Sequence, residues 1–259
     1  MSRPALNPFS TALAVAVVSI GLLAAAVVGG WLGPDLGHGD LFCEALRDGL
    51  VNQPANTWSN LGFVIAGLSI GWQARTRPQL MDSTVTLFAC VVVLLGPASA
   101  AMHATGTAWG KHLDLTSMFL LAAFTSSYAI KRLADLTAIR FYGLFAVLLF
   151  GSEIIYLTGP ELPVVLHAGN AVFAVLILLT LISEVVLWSR TRSRGVGKAG
   201  IAAVGTLGLS FVIWNLDQGA WCVPDSLLQG HAIWHLGCAL SAYLLFRLYV
   251  ADDQATVAT

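Results

Sequence analysis

The stretch GHAIWHLGCALSAYLLFRLYV, residues 230–250, carries a single charged side chain, Arg247. An apolar helix needs ~20 residues to cross the hydrocarbon core of a bilayer, and this stretch supplies them. Yet it opens with His231 and His235, one helical turn apart. Polar side chains at membrane depth are expensive and mark a site rather than a surface. The whole chain shares this character: of 259 residues, 57% are hydrophobic and 10% charged, with a mean hydropathy of +0.77. Soluble domains average about 25% charged residues. So few charges cannot clothe a hydrated surface, so the solvent must be lipid. The expected fold class is all-α, a polytopic membrane helix bundle. A net charge of −1 and the absence of a basic tract exclude nucleic acid as a partner.

Working outward from 230–250, eight apolar segments are long enough to span: about 9–32, 57–74, 83–103, 113–130, 140–158, 163–188, 199–217 and 228–249. Breakers and charges separate them, as in RTRPQLMD (75–82), KRLADLTAIR (131–140) and SRTRSRGVGK (189–198). No linker or low-complexity run divides the chain, so one membrane domain is expected over 1–259. Lys and Arg concentrate on the cytoplasmic side of membrane proteins. Placing both termini inside leaves only Arg47 and Lys111, of 13 Lys and Arg, in the outer loops. The first segment is also weighed as a signal peptide behind Arg3. Its apolar run exceeds the usual 7–15 residues and no A-x-A cleavage site follows, so a retained helix is expected.

That topology puts five polar residues at one depth, near the outer face. Span three ends GPASAAMH, with Ser99 and His103 a turn apart; Asp114 stands at the mouth of span four; His231 and His235 begin span eight. Residues i and i+4 share a helix face, with Cβ atoms ~6 Å apart. His231 and His235 can therefore aim at one ion, with His103 as a third nitrogen, and three protein ligands plus water is the pattern of catalytic zinc. On spacing alone, hydrogen bonds across helices or seats in the headgroup layer stand beside that reading.

Four stretches then carry a likeness. The sequence resembles the alkaline ceramidases, in the membrane-hydrolase superfamily that also contains the adiponectin receptors. The stretches are FCE (42–44) followed by NTWSNLGF (56–63); Ser99 to His103 with LD (113–114) eleven residues after the His; WNLDQGAWC (214–222); and HAIWH (231–235). The resemblance implies a seven-helix core over about 42–250, with 9–32 as an added N-terminal helix. It implies zinc held by His103, His231 and His235, with Ser99 and Asp114 assisting the reaction. It also matches Cys43 and Cys222, both in outer loops, to two family cysteines that pair. Cys90 and Cys238 lie in spans and serve as small apolar fillers.

The pattern departs before NTWSN. Eukaryotic alkaline ceramidases have an acidic calcium-binding segment there, whereas this chain keeps Glu44 and Asp40 but has Gln53 where a carboxylate is expected. Calcium is left open. Among other polar residues, Glu153 in span five is a candidate substrate contact, or a support behind the ligands. Asp217 and Asn215 at the end of span seven are read as braces, and His167 as a helix-to-helix hydrogen bond. His38 and His112 are read as loop residues without a role, and Trp31, Trp109 and Trp221 as an interfacial belt.

The function expected is a zinc-dependent hydrolase cleaving the amide of ceramide or a related N-acyl lipid, a membrane lipid substrate, near the periplasmic or lumenal face. A receptor-like or regulatory member of the superfamily with structural zinc is the alternative. It usually carries a large soluble N-terminal region. A proton or metal transporter would also explain intramembrane His and Asp. Transporter sites lie near the midplane, often with internal repeats, and neither feature is read here. Oligomeric state is not legible.

Overall fold

The computed structural model describes residues 7–76, 83–162 and 168–257, and among these it is almost entirely helical. Described helices are α1 (Pro8–Gly29), α2 (Pro54–Ser59), α3 (Leu61–Ala74), α4 (Ser83–Thr105), α5 (Ala108–Leu133), α6 (Ala138–Thr158), α7 (Ala168–Thr191), α8 (Arg194–Asp217) and α9 (Gly230–Val257), with a 3-10 turn at His38–Leu41. Seven of them, α1 and α4 to α9, are long and apolar enough to cross a membrane. Lipid offers no partner to a backbone N–H or C=O, so a spanning segment must satisfy its own as a helix. The expectation of a polytopic helix bundle holds.

The second expected span, 57–74, is corrected. It is two helices, α2 and α3, meeting at Asn60. Two side chains compete there for one backbone carbonyl: Ser59 Oγ and Asn60 Nδ2 each donate to Asn56 O at 2.9 Å. Such local bonds offer the backbone an alternative to the helical ladder. Helix ends also differ from the expected spans. The Thr107 hydroxyl accepts from Gly110 N at 3.0 Å and caps α5, so Lys111 and His112 are helical rather than loop. α9 runs on past 249 to Val257, where Asp252 meets Arg132 at 2.8 Å. Residues 163–167, the start of the sixth expected span with its His167, lie outside the described residues, as do Arg3 and Arg77.

Packing follows an open circuit: α8 lies along α9, α9 on α3, α3 on α4, α4 on α5 and α5 on α7. α6 flanks α5 and α7, and α1 lies over α3 and α4, burying Ala12 and Ala16. α4 approaches α3 very closely where they cross: a Cβ on Gly96 would sit 2.8 Å from Asn60 O, so only glycine fits. The core is aromatic, with Phe88 stacked on Phe124 at 5.0 Å and Phe141 edge-on to Phe124 at 5.7 Å. At the end of the bundle away from the three histidines, Arg132 bridges Glu184, 2.6 Å away, and Asp252, tying α5, α7 and α9. Exposed apolar side chains such as Val17, Ile139, Leu157 and Ile201 cover the perimeter, as a lipid-facing surface requires.

Candidate metal centre

The C-terminal turns of α4 and the N-terminal turns of α9 meet at one end of the bundle. His103 comes from the first; His231 and His235 come from the second. One ring nitrogen from each lies within 4.8 Å of the other two, and all three side chains are buried. His231 Nε2 stands 3.2 Å from His103 Nε2. Pro97 sits inside α4, one and a half turns before His103. It has no N–H for the ladder, which loosens the helix just ahead of the ligand.

Which nitrogen of each ring faces inward follows from its neighbours. Gln53 is fully buried. Its Nε2 donates to Gly39 O at 2.9 Å and Glu44 O at 2.8 Å, which fixes the amide. Gln53 Oε1 therefore faces His103 Nδ1, at 3.0 Å. An amide oxygen only accepts, so the proton is on Nδ1 and the His103 Nε2 lone pair points inward. His235 is held differently. Its Nδ1 is 2.8 Å from Ser59 Oγ, which also donates to Asn56 O. The hydroxyl can accept from a protonated Nδ1, whereas Asn60 Nδ2, 3.2 Å away, can only donate to an unprotonated one. The His103 lone pair thus points toward His231, whose Nδ1 is buried and has no partner among the described residues. Convergent imidazoles, two of them braced from behind, are the donor set of a metal centre. The residues fit a metal ion, and imidazole nitrogen suits zinc.

The loops before α2 and before α9 hold this geometry. The Glu44 carboxylate accepts from Ala55 N at 2.7 Å and Asn56 N at 2.8 Å, capping α2. Next to it Cys43 is disulfide-bonded to Cys222, Cα to Cα 5.5 Å, as the resemblance implied. Phe42 covers the histidines, its ring 4.1 Å from His231 and 4.8 Å from His103, centroid to centroid. Asp217 Oδ2 accepts from Gly230 N at 2.7 Å and caps α9 one residue before His231. α8 and α9 touch here; a Cβ on Gly230 would lie 2.9 Å from Ile213 O.

The other expected site residues divide. Ser99 is buried one turn before His103, and its hydroxyl hydrogen-bonds the half-buried Asp114 carboxylate across α4 and α5. Asp217 is a brace, as expected, but Asn215 is exposed and bonds only Phe211 O of its own helix, at 2.7 Å. Asp40 is exposed and both Glu44 oxygens are taken by backbone N–H groups. Among the described residues those two carboxylates join no metal-binding group. His112 is not idle: its Nε2 is 3.7 Å from Glu153 Oε2. His38 lies in the outer 3-10 turn, where burial and then the nearby Lys111 lower its pKa. Trp31, Trp109 and Trp221 are exposed, as a belt requires. Cys90 and Cys238 are free thiols within helices.

Sequence reading missed Gln53 as a support for His103, Ser59 as a support for His235, and Phe42 and Trp214 as ring neighbours of His231. Ser59 left a signal, being one of several polar residues in the otherwise apolar NTWSNLGF; Phe42 and Trp214 stand in FCE and WNLDQGAWC, stretches that carry the resemblance, but nothing in either names His231 as a neighbour.

The chain also compares with known proteins. The family model described as Ceramidase matches residues 48–255, most of the chain. No curated protein matches it at significant similarity. The match takes in all three histidines, Ser99 and Asp114, and its extent shows that the chain belongs to the ceramidase family, which supports a membrane enzyme that hydrolyses ceramide.

Proposed function

We propose that the protein is a zinc-dependent hydrolase that cleaves the amide bond of ceramide or a related N-acyl lipid to a fatty acid and an amine. The observation that carries the zinc reading is the convergence of three buried histidines, with the His103 Nε2 lone pair turned inward by Gln53. His103, His231 and His235 would hold the ion through neutral nitrogens. Zinc there would supply Lewis-acid polarisation of the amide carbonyl and activate water as a nucleophile.

Asp114 is the general base. It takes the proton of the attacking water as oxygen bonds to the carbonyl carbon, and returns it to nitrogen as the C–N bond breaks. Ser99 orients that carboxylate through its hydrogen bond and can donate to the developing oxyanion. Phe42, resting on two of the histidines, keeps bulk water from the ring face it covers. The distribution of Lys and Arg supports an outer-face site, periplasmic or lumenal. We read the whole chain as one membrane domain, with α1 added to a core of about 42–250.

Purified protein should contain about one zinc per chain and release fatty acid from ceramide. H231A and H235A should lose metal and activity together. D114N should keep the metal and lose turnover, by at least the 10²-fold that a general base contributes. Full zinc occupancy in the H231A/H235A double variant would sink the site, and near-normal turnover by D114N would remove Asp114 from the mechanism.

A further inference from the structure

α6 packs on α5 and α7 and turns Val147, Phe150, Ile154 and Leu157 outward, all exposed. Glu153 is its single carboxylate, and it points the other way. Its side chain is only 16% exposed, and Oε1 is buried with no hydrogen-bond partner among the described residues. Oε2 faces His112 Nε2 across 3.7 Å, beyond the 2.7–3.2 Å of an N–H···O hydrogen bond. His112 cannot close the gap by tilting freely, because its ring is stacked on Tyr156 at 5.7 Å and edge-on to Trp109 at 6.0 Å. Tyr156, one turn beyond Glu153 on α6, lies within electrostatic reach of both Glu153 and Asp114. Asp114 itself follows His112 by two residues on α5.

A carboxylate at this depth costs several kcal/mol unless donors satisfy it. The described residues leave one oxygen without a donor and give the other only a distant one. The stacked rings of His112 and Tyr156 stand beside it, and Tyr156 links it to the proposed general base. A carboxylate accepts and never donates while ionised, so what it takes must bring its own proton. It also repels anions strongly where lipid and protein replace water.

The geometry points to a head-group subsite at Glu153, faced by His112, that accepts a hydrogen bond from a hydroxyl on the amine half of the N-acyl lipid. The substrate class it favours has a hydroxylated head without phosphate. This rests on the amidase reading above, since that reading puts the amine half on the Asp114 side of the scissile bond.

Three amides with the same acyl chain test it in detergent micelles: ceramide, its 1-phosphate, and the N-acyl derivative of a long-chain alkylamine without hydroxyls. For the wild type, kcat/KM should favour ceramide over the deoxy amide and reject the phosphate. E153L should cut the ceramide-to-deoxy ratio about tenfold. E153Q, which keeps an acceptor but loses the charge, should hold most of that ratio and raise the relative rate on the phosphate about tenfold. A ceramide-to-deoxy ratio within twofold of wild type in E153L would overturn the subsite. Should the wild type cleave none of the three, the amidase reading fails by itself. Equilibrium binding of ceramide against the deoxy amide, followed by tryptophan fluorescence in wild type and E153L, then decides the subsite: a tenfold loss of preference upholds it and an unchanged preference overturns it.

Discussion

A histidine ligates through one ring nitrogen and is aimed through the other. Here the aiming groups are Gln53 and Ser59, an amide and a hydroxyl rather than the carboxylates that often serve. A neutral acceptor fixes the tautomer without adding a buried charge. Gln53 grips its histidine twice, since its N–H also donates to the His103 carbonyl at 3.0 Å. Supports of this kind typically contribute 10- to 100-fold in metal affinity. Q53L should therefore weaken zinc binding by about that range, read by competition with a chromophoric chelator, and S59A should do so by the lower figure. Q53L binding zinc as tightly as wild type would mean that the amide does not aim the ring. The three histidines were legible as a group because the His231–His235 spacing is local and the charge pattern predicts one depth for all three. Gln53 and His103 are fifty positions apart in the chain, and only the closed tertiary fold makes them neighbours.

At the scale of elements, the break between α2 and α3 is what makes the centre possible. A continuous helix over 57–74 would commit the Asn56 carbonyl to its own ladder. Freed, it receives Ser59 and Asn60, the two side chains that meet the His235 ring. The sequence shows a run long enough to span, and hydropathy carries no information about a hydrogen bond diverted within it. Helix starts were misplaced for a related reason: the Thr107 cap on α5 costs one hydroxyl and leaves no apolar trace. α9 depends on a cap as well. Asp217 meets the positive end of the helix that carries two of the three histidines. D217A should cost about 1–2 kcal/mol of stability, a fall of roughly 2–8 °C in Tm for a chain of this size, whereas D217N keeps an acceptor and should lose less. Equal Tm values for D217A and wild type would show that the contact contributes nothing.

Across the whole molecule, the one covalent cross-link joins the loop before α2 to the loop before α9. It closes a ring over a sequence separation of 179, which restricts a free unfolded chain by about 5 kcal/mol and a membrane-inserted one by less. C43S and C222S should each lower Tm, and both should release zinc to chelator faster than wild type, because Phe42 and the α9 cap flank the bond. Alkylation of native protein followed by non-reducing mass spectrometry checks the bond directly; free Cys43 and Cys222 would contradict it. The architecture was largely readable, since composition excludes a soluble fold. The clamp of Arg132, Glu184 and Asp252 was not, because each of the three reads alone as an ordinary end-of-helix charge. Chain order gives the cross-link a further meaning during synthesis. Cys222 emerges only after α2 to α8, and His231 and His235 emerge after Cys222, so a ribosome must deliver every earlier helix before either the ring or the metal centre can exist. A truncated product would carry His103 alone. On the mechanism proposed above, such a nascent chain is inert toward the lipids into which it is being inserted, and hydrolytic power arrives all at once, with the last helix.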